Sequence, residues 1–267
     1  MSKYLDLDIK DIHELLCSGS IKPIDLVNEA FDRIESDELN CFISTSKEYA
    51  TNRAKALEGE KPTGLLWGIP IAIKDNIVTK DFKTTAGSKM LSEFYSVYDA
   101  HVIDLINKNG MIVVGKLNMD EFAMGSSNQT SYFGPVKNPW NHSLVSGGSS
   151  GGSASCVSSR IVPFALGSDT GGSIRQPSAF CGTVGLKPTY GRVSRYGLIA
   201  FASSLDQIGP ITRNVRDNAL LLNILCDKDK RDLTQSVSDE DFTRFIGDDI
   251  SGMKIAIPSF YVNDLVD

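Results

Sequence analysis

The chain has 267 residues, of which 41% are hydrophobic and 22% charged, and its formal net charge is −6 at pH 7. This is ordinary globular composition, with enough apolar residues for a sizeable core in one large α/β domain or two small ones. The acidic balance and the lack of long like-charge runs argue against direct binding of nucleic acid by this chain, although a partner protein could bind RNA.

The cysteines and the N-terminus favour a cytoplasmic protein. Five cysteines are scattered along the chain without a C-x-x-C pair, which suits reduced thiols and argues against a disulfide framework or a zinc site. The N-terminus lacks the cationic and apolar regions of a signal peptide. No apolar run approaches the roughly 18 residues of a membrane span, so we expect no membrane contact.

Hydrophobic periodicity predicts helices that alternate with short strands. In chain order the pattern predicts helices over 8–18 and 23–36, a strand over 41–45, a helix over 47–59, a buried strand within 65–77, a helix over 98–109, a strand over 111–115, a helix over about 152–160, a strand over 161–166, a helix over 215–226 and a strand over 253–258. This alternation predicts an α/β sheet flanked by helices. We expect one domain over 1–267, with the polar stretch 227–251 as a surface excursion.

Two stretches are rich in glycine and serine, SGGSSGGSAS at 146–155 and DTGGS at 169–173. The first has the composition of a flexible linker, but apolar segments flank it on both sides. It also fits G-x-S-x-G at 147–151, the nucleophile turn of α/β-hydrolases, in which the triad histidine follows the serine. No histidine follows Ser149, so that triad cannot form in this chain. Neither stretch carries the Gly-Lys-Ser/Thr of a phosphate-binding loop.

A serine nucleophile without histidine needs another base. A buried lysine can serve, since burial disfavours its charged form. Lys74 ends the apolar run IPIAIK and is the best-placed candidate. The structural alternative is a strand-end lysine that pairs with Asp75 or with an exposed carboxylate.

Three motifs together carry a family resemblance: GIPIAIKDN at 68–76, SGGSSGGSAS at 146–155 and GSDTGGSIRQPSAFCGTVGLKPTYGRVS at 167–194. Their order and spacing resemble the amidase signature family of Ser–Ser–Lys hydrolases, over essentially the whole chain. The resemblance implies a mixed, twisted β-sheet flanked by helices. Within the family, stretches 115–140 and 196–222 resemble the A subunits of glutamyl-tRNA(Gln) and aspartyl-tRNA(Asn) amidotransferases.

The resemblance assigns catalytic roles to three residues: Lys74 as general base, Ser149 as proton relay and Ser173 as the nucleophile that forms an acyl ester. It implies an oxyanion hole of backbone N–H groups, contributed by Thr170, Gly171, Gly172 and Ser173. Ser150, Asp169 and Arg175 are expected to support the site, Ser150 by holding the lysine and the other two by holding the loop in shape. Cys181 is interpreted as a packing residue, since free cysteine is usually a small buried hydrophobe.

The implied reaction is hydrolysis of glutamine, with ammonia passed to a B subunit that amidates Glu-tRNA(Gln) or Asp-tRNA(Asn), while a small C subunit holds the pair together. This chain would need no cofactor or metal, would meet tRNA only through its partner, and would leave ATP and Mg²⁺ to the partner's step. The alternatives are a stand-alone amidase for another small amide, or an inactive fragment of such an amidotransferase.

Two departures from the family pattern stand out. Ser146 occupies a position where the family usually carries proline. Family members are also usually much longer, so we expect a truncated chain that holds the chemical apparatus without much of the glutamine-binding pocket.

Overall fold

The computed structural model describes residues 4–236 and 239–257. Its helices are α1 (Ile9–Cys17), α2 (Pro23–Glu35), α3 (Lys47–Leu57), α4 (His101–Lys108), α5 (Gly151–Ser158), α6 (Arg175–Cys181) and α7 (Val215–Leu225). Its strands are β1 (Phe42–Thr45), β2 (Pro70–Lys74), β3 (Ile112–Leu117), β4 (Phe164–Asp169), β5 (Val184–Gly185) and β6 (Gln207–Thr212). The predicted alternation of helices and strands is confirmed from α1 to β4, and the predicted helix over 215–226 is confirmed as α7.

Local sequence explains where several helices begin. In α2, Pro23 occupies the first turn, where its missing N–H is not needed, and the Asp25 carboxylate accepts the Lys22 amide at 2.8 Å. In α7, the Asn214 side chain accepts the Asp217 amide at 2.8 Å. Such caps satisfy amides that the helix itself leaves without acceptors.

The six strands form one sheet in the order β1-β3-β2-β4-β6-β5. Strands β3, β2 and β4 run parallel, whereas β1 is antiparallel to β3, and both β4 and β5 are antiparallel to β6. The expected mixed sheet flanked by helices is therefore confirmed. Because β2 and β4 are parallel neighbours, their carboxyl ends lie at the same edge, where Lys74 ends one strand and Asp169 ends the other.

The parallel strands are buried along their whole length. Their apolar side chains join those of the helices in one continuous core, as expected for parallel strands covered on both faces. At roughly 25 cal/mol for each Å² of apolar surface removed from water, such burial is the main force that holds the sheet edge in place.

One predicted strand has different bounds in the structure, and three elements were not predicted. The strand predicted over 161–166 begins at Phe164 and continues to Asp169, because its polar last residues still pair with β6. Helix α6 and strands β5 and β6 were not predicted; α6 lies within the third family motif, where periodicity indicated neither a helix nor a strand. Periodicity missed β6 because glycine and proline interrupt its apolar residues.

The strand predicted over 253–258 is also wrong for its described part. Residues 253–257 form no strand and pair with no other described strand, and position 258 lies outside the described residues. The side chains of Ile255 and Ile257 are 77% and 74% exposed. An apolar run becomes a strand only where a neighbouring strand offers hydrogen bonds, and none of the described strands lies beside this one.

Two further observations concern the rest of the chain. In the described part of 227–251, residues 227–236 and 239–251, there is no helix or strand. None of the helices in the described chain is long and apolar enough to cross a membrane. The assignment of the whole chain to a single domain stays a prediction.

Candidate active site

Lys74 lies at the carboxyl end of β2 and is fully buried. Its Nζ donates to Ser149 Oγ at 2.7 Å, to Ser150 Oγ at 2.8 Å and to the Ser168 carbonyl at 3.2 Å. The structural alternative, in which Lys74 pairs with Asp75, is wrong. The Asp75 carboxylate pairs with Lys116, whose Nζ lies 3.3 Å away.

The hydrogen bonds around Lys74 indicate where its protons lie when the amine is neutral. The Ser168 carbonyl can only accept, and Ser150 donates its one hydroxyl hydrogen to that same carbonyl at 3.2 Å. Both groups must therefore accept from Nζ, which uses the two hydrogens of a neutral amine. The remaining lone pair faces Ser149, so the Ser149 hydroxyl can donate to Lys74 and accept a proton from elsewhere.

The surroundings of Lys74 favour this neutral form. Burial lowers the pKa of Lys74 from 10.5 to about 7, against the opposing charges of Asp120, Asp169 and Asp206. Burial dominates because an ammonium group loses more hydration in the interior than a neutral amine does. A lysine with a pKa near 7 can exchange protons at physiological pH.

The first glycine–serine stretch is packed and does not form a flexible linker. A Cβ at Gly152 would lie 2.5 Å from the Asn118 carbonyl oxygen, and one at Gly148 would lie 2.0 Å from the Asp120 carboxylate. The Gly148 amide donates to the Gln176 side chain at 2.9 Å, and the peptide bond that follows Gly148 is cis. The glycines allow neighbouring backbones to approach Ser149 closely, which fixes its place beside Lys74.

The Ser173 loop follows β4 and is held from inside by Asp169. This buried carboxylate accepts the amides of Gly172 at 2.7 Å and Ile174 at 3.0 Å, and the Arg175 guanidinium at 2.9 and 3.0 Å. Burial acts to raise the pKa of Asp169, but these donors outweigh it and lower the pKa below its ordinary value. The acid thus faces its own loop and Arg175.

The backbone N–H groups of the Ser173 loop differ in whether they are free to donate to a ligand. Because the Gly172 N–H donates to Asp169, it cannot also serve an oxyanion in this conformation, which removes one of the four predicted donors. Among the described residues, the N–H groups of Thr170, Gly171 and Ser173 have no hydrogen-bond acceptor. A Cβ at Gly171 would meet nothing within 4 Å, so a ligand can approach this amide.

Ser173 itself is half-buried, in contrast to the fully buried Ser149. Its carbonyl accepts the Ser150 amide at 3.1 Å, which ties the Ser173 loop to the start of α5. Within the described chain, no hydrogen bond joins its hydroxyl to Ser149 or to another group. The structure thus brings Lys74, Ser149 and Ser150 into contact and places Ser173 on a neighbouring loop. The catalytic roles stay predictions.

Cys181 is a structural residue. It is fully buried, and its Sγ donates to the Ser146 carbonyl at 3.3 Å. Burial raises the pKa of Cys181 to about 11, so its reactive thiolate form is scarce at neutral pH. The described residues contain no group of three or more histidine, cysteine or acidic side chains placed to hold a metal ion.

Sequence reasoning missed several residues that shape the site. Asp120 accepts the Asn128 amide at 2.9 Å, and its own amide donates to the Ser149 carbonyl at 3.2 Å. Lys116 and Asp206 are likewise buried next to site residues. Each is a single polar residue outside the three motifs that carry the family resemblance, so no periodic pattern singled it out, although a lysine after an apolar run at position 116 repeats the pattern that singled out Lys74.

Comparisons with known proteins agree with this geometry. A family model described as Amidase matches residues 25–267. The chain is 56% identical over 267 residues to the A subunit of the glutamyl-tRNA(Gln) amidotransferase of Pediococcus pentosaceus, covering 98% of this chain and 55% of that protein. It is 58% identical over 269 residues to the Enterococcus faecalis protein of the same name, covering 99% of this chain and 55% of that protein.

Solved structures lead to the same family. The A subunit of glutamyl-tRNA(Gln) amidotransferase from Thermotoga maritima is 46% identical, with a TM-score of 0.75 over 90% of this chain and 51% of that one. Peptide amidase from Stenotrophomonas maltophilia is 32% identical, with a TM-score of 0.84 over 90% of this chain and 53% of that one. The chain spans about half the length of the curated relatives it matches. With the family model, these matches place it plainly: the chain belongs to the amidase signature family.

Proposed function

We propose that this chain carries the glutamine-hydrolysing apparatus of a tRNA-dependent amidotransferase. The observation that carries the proposal is the buried Lys74, which has a pKa of about 7 and lies 2.7 Å from Ser149. A lysine in this setting serves as a base, whereas a structural lysine would be paired with a carboxylate. The relatives that are A subunits of glutamyl-tRNA(Gln) amidotransferases support glutamine as the amide donor.

The proposed reaction begins with two proton transfers. Neutral Lys74 takes the hydroxyl proton of Ser149, and Ser149 takes the proton of Ser173. Ser173 Oγ then forms a bond to the side-chain amide carbon of glutamine, and the carbonyl π electrons move onto oxygen. The amides of Thr170, Gly171 and Ser173 stabilise this oxyanion, and one such donor is worth about 3 kcal/mol in the barrier.

Collapse of the intermediate breaks the C–N bond. The leaving nitrogen receives the proton back from Ser149, so ammonia departs and a glutamyl ester remains on Ser173. A water molecule then attacks the ester carbon, with Ser149 and Lys74 again accepting its proton. Collapse of this second intermediate breaks the bond between the carbonyl carbon and Ser173 Oγ, which takes the proton back through Ser149 as glutamate leaves. The relay returns to its starting state, because a hydroxyl can donate and accept in turn.

The ammonia acceptor lies outside this chain in the proposed scheme. A partner B subunit would activate the misacylated Glu-tRNA(Gln) or Asp-tRNA(Asn) with ATP and Mg²⁺ and use the ammonia for amidation, while a C subunit holds the pair together. This chain itself would use no metal or organic cofactor. These assignments follow from the relatives' names and from the family resemblance.

The test measures ammonia released from glutamine by this chain, alone and after the B subunit is added. We expect release that is specific for glutamine, that rises when the B subunit is added and that is lost in Ser173→Ala. Release from other small amides at an equal rate, without response to the B subunit, would support a stand-alone amidase. If no ammonia is released either by the chain alone or after the B subunit is added, the proposal is contradicted and an inactive fragment is favoured.

A further inference from the structure

The carboxylate of Asp206 is buried beside the nucleophile loop and has no role in the scheme above. Its side chain is only 3% exposed. Every hydrogen bond that reaches this carboxylate among the described residues comes from a loop: the Thr170 hydroxyl, the Phe201 amide at 2.9 Å and the Ala202 amide at 3.1 Å. Removal of a carboxylate from water is costly unless such donors replace the lost hydration.

The sheet register explains why Asp206 meets Thr170. In the antiparallel pair β4–β6, Asp169 lies opposite Gln207, which is the last pair of the ladder. Thr170 and Asp206 are the next residues beyond that pair, one on each chain segment. The bond between their side chains therefore extends the contact by one step, at the point where the loop leaves the sheet.

The nucleophile loop is thus held by two carboxylates from opposite ends. Asp169 holds its later part through the amides of Gly172 and Ile174, and Asp206 holds its first residue. Between the two anchors lies the Gly171 amide, which belongs to the peptide plane that follows Thr170. Fixing the Thr170 side chain therefore restricts the direction in which the Gly171 N–H points.

We propose that Asp206 is a positioning residue, which orients the Gly171 amide toward the oxyanion by holding the Thr170 hydroxyl. The inference rests on the proposed function, since it assumes that Ser173 is the nucleophile and that this loop supplies the oxyanion donors. Asp206 touches neither the substrate nor the reacting atoms in this scheme. Its effect passes through one side-chain hydrogen bond, which makes it separable by mutation.

The test uses the full chain and measures how fast a fluorophosphonate labels Ser173, with the limiting rate and the probe's dissociation constant determined separately. Thr170→Val removes the hydroxyl at nearly constant shape, Thr170→Ser keeps it, and Asp206→Asn removes the charge. Thr63→Val and Asp32→Asn are matched controls, since both positions are exposed and distant in sequence from the loop. Thermal unfolding of each variant checks that it folds.

Removal of an oxyanion donor slows a reaction about 10²–10³-fold. A donor that is present but poorly oriented should cost less than its removal, so we expect about 10- to 100-fold slower labelling. Thr170→Val and Asp206→Asn should each lower the limiting rate at an unchanged dissociation constant, and the double variant should be no slower than the worse single variant. Thr170→Ser, which keeps the hydroxyl, should label faster than Thr170→Val, and the Thr63→Val and Asp32→Asn controls should stay close to wild type. The inference would be overturned if the rate losses of the two single variants add in the double variant. It would also be overturned if the variants only weaken binding of the probe and leave the limiting rate unchanged.

A second measurement keeps the inference testable if wild type is not labelled, an outcome that would count against the proposed function alone. Hydrogen–deuterium exchange of the Gly172 and Ile174 amides, the two in 170–174 that are hydrogen-bonded within the described chain, reports how firmly the loop is held. Faster exchange in Thr170→Val and in Asp206→Asn, with wild-type exchange in Thr170→Ser, supports the positioning role. Unchanged exchange in the first two variants refutes it.

Discussion

At the scale of single residues, the site depends on how one lysine is kept neutral. Burial lowers the pKa of Lys74, and three surrounding carboxylates limit that fall to about 7. In the unfolded chain the same lysine titrates near 10.4. Folding therefore carries a stability penalty from this group that is full below pH 7 and fades as pH rises from 7 to about 10.5. The penalty leaves a base that is available at neutral pH.

The first prediction concerns pH. Because the base must be neutral, the labelling rate of Ser173 by a fluorophosphonate should rise with pH through about 7 and level off above it. Below that value it should fall about tenfold for each pH unit, following the fraction of neutral amine. Labelling rates between pH 5.5 and 9 check this. A rate that is flat over the range, or that still rises tenfold per pH unit at pH 9, would contradict the role of Lys74.

Ser150 illustrates what the sequence could and could not predict about the site. The motifs predicted that it holds Lys74, and the 2.8 Å contact is of the kind expected. They did not predict the hydrogen bond that Ser150 donates to the Ser168 carbonyl. Because of this bond Ser150 can only accept from Lys74, which determines where the protons of the neutral amine lie. That bond joins two segments distant in sequence, so no local pattern encodes it. The engagement of the Gly172 amide by Asp169 escaped prediction for a similar reason.

At the scale of elements, parallel strands bring the site together. Lys74 at the end of β2 and Asp169 at the end of β4 share one sheet edge. Short apolar runs predicted β2 and β3 well, because their residues are buried on both faces. The same signal failed at β6, where polar and glycine residues are buried through pairing with β4, and at 253–257, where no described strand lies alongside.

The second prediction concerns the buried ion pair between neighbouring strands. Lys116 of β3 donates to the Ile77 carbonyl at 2.8 Å and lies 3.3 Å from Asp75, and both side chains are fully buried. Lys116→Met leaves that carboxylate buried without its cation, which should lower the free energy of unfolding by about 3–5 kcal/mol. Urea unfolding at pH 7 measures the change.

Two comparisons sharpen this prediction. Lys108→Met breaks an exposed pair with Asp227 and should change stability by less than about 1 kcal/mol. Adding Asp75→Asn to Lys116→Met removes the orphaned charge and should recover part of the loss. If Lys116→Met unfolds at the same urea concentration as wild type, the pair does not stabilise the strand edge.

At the scale of the whole molecule, the chain forms one six-stranded sheet and spans about half the length of the curated relatives it matches. The family resemblance implied the mixed sheet, and the roles that it assigns to Lys74 and Ser149 implied a contact between them. The chain's place in the amidase signature family follows from the whole pattern. Glutamine, ammonia transfer and the partner proteins remain proposals about an assembly.

The most direct test of the central claim maps the adduct that a fluorophosphonate forms on the folded chain. Mass spectrometry of the labelled chain should place the adduct on Ser173. Lys74→Ala and Ser149→Ala should each abolish most labelling, and their combination should be no worse than either alone, since the two act as one relay. An adduct on another residue, or wild-type labelling in Lys74→Ala, would contradict the Ser–Ser–Lys mechanism.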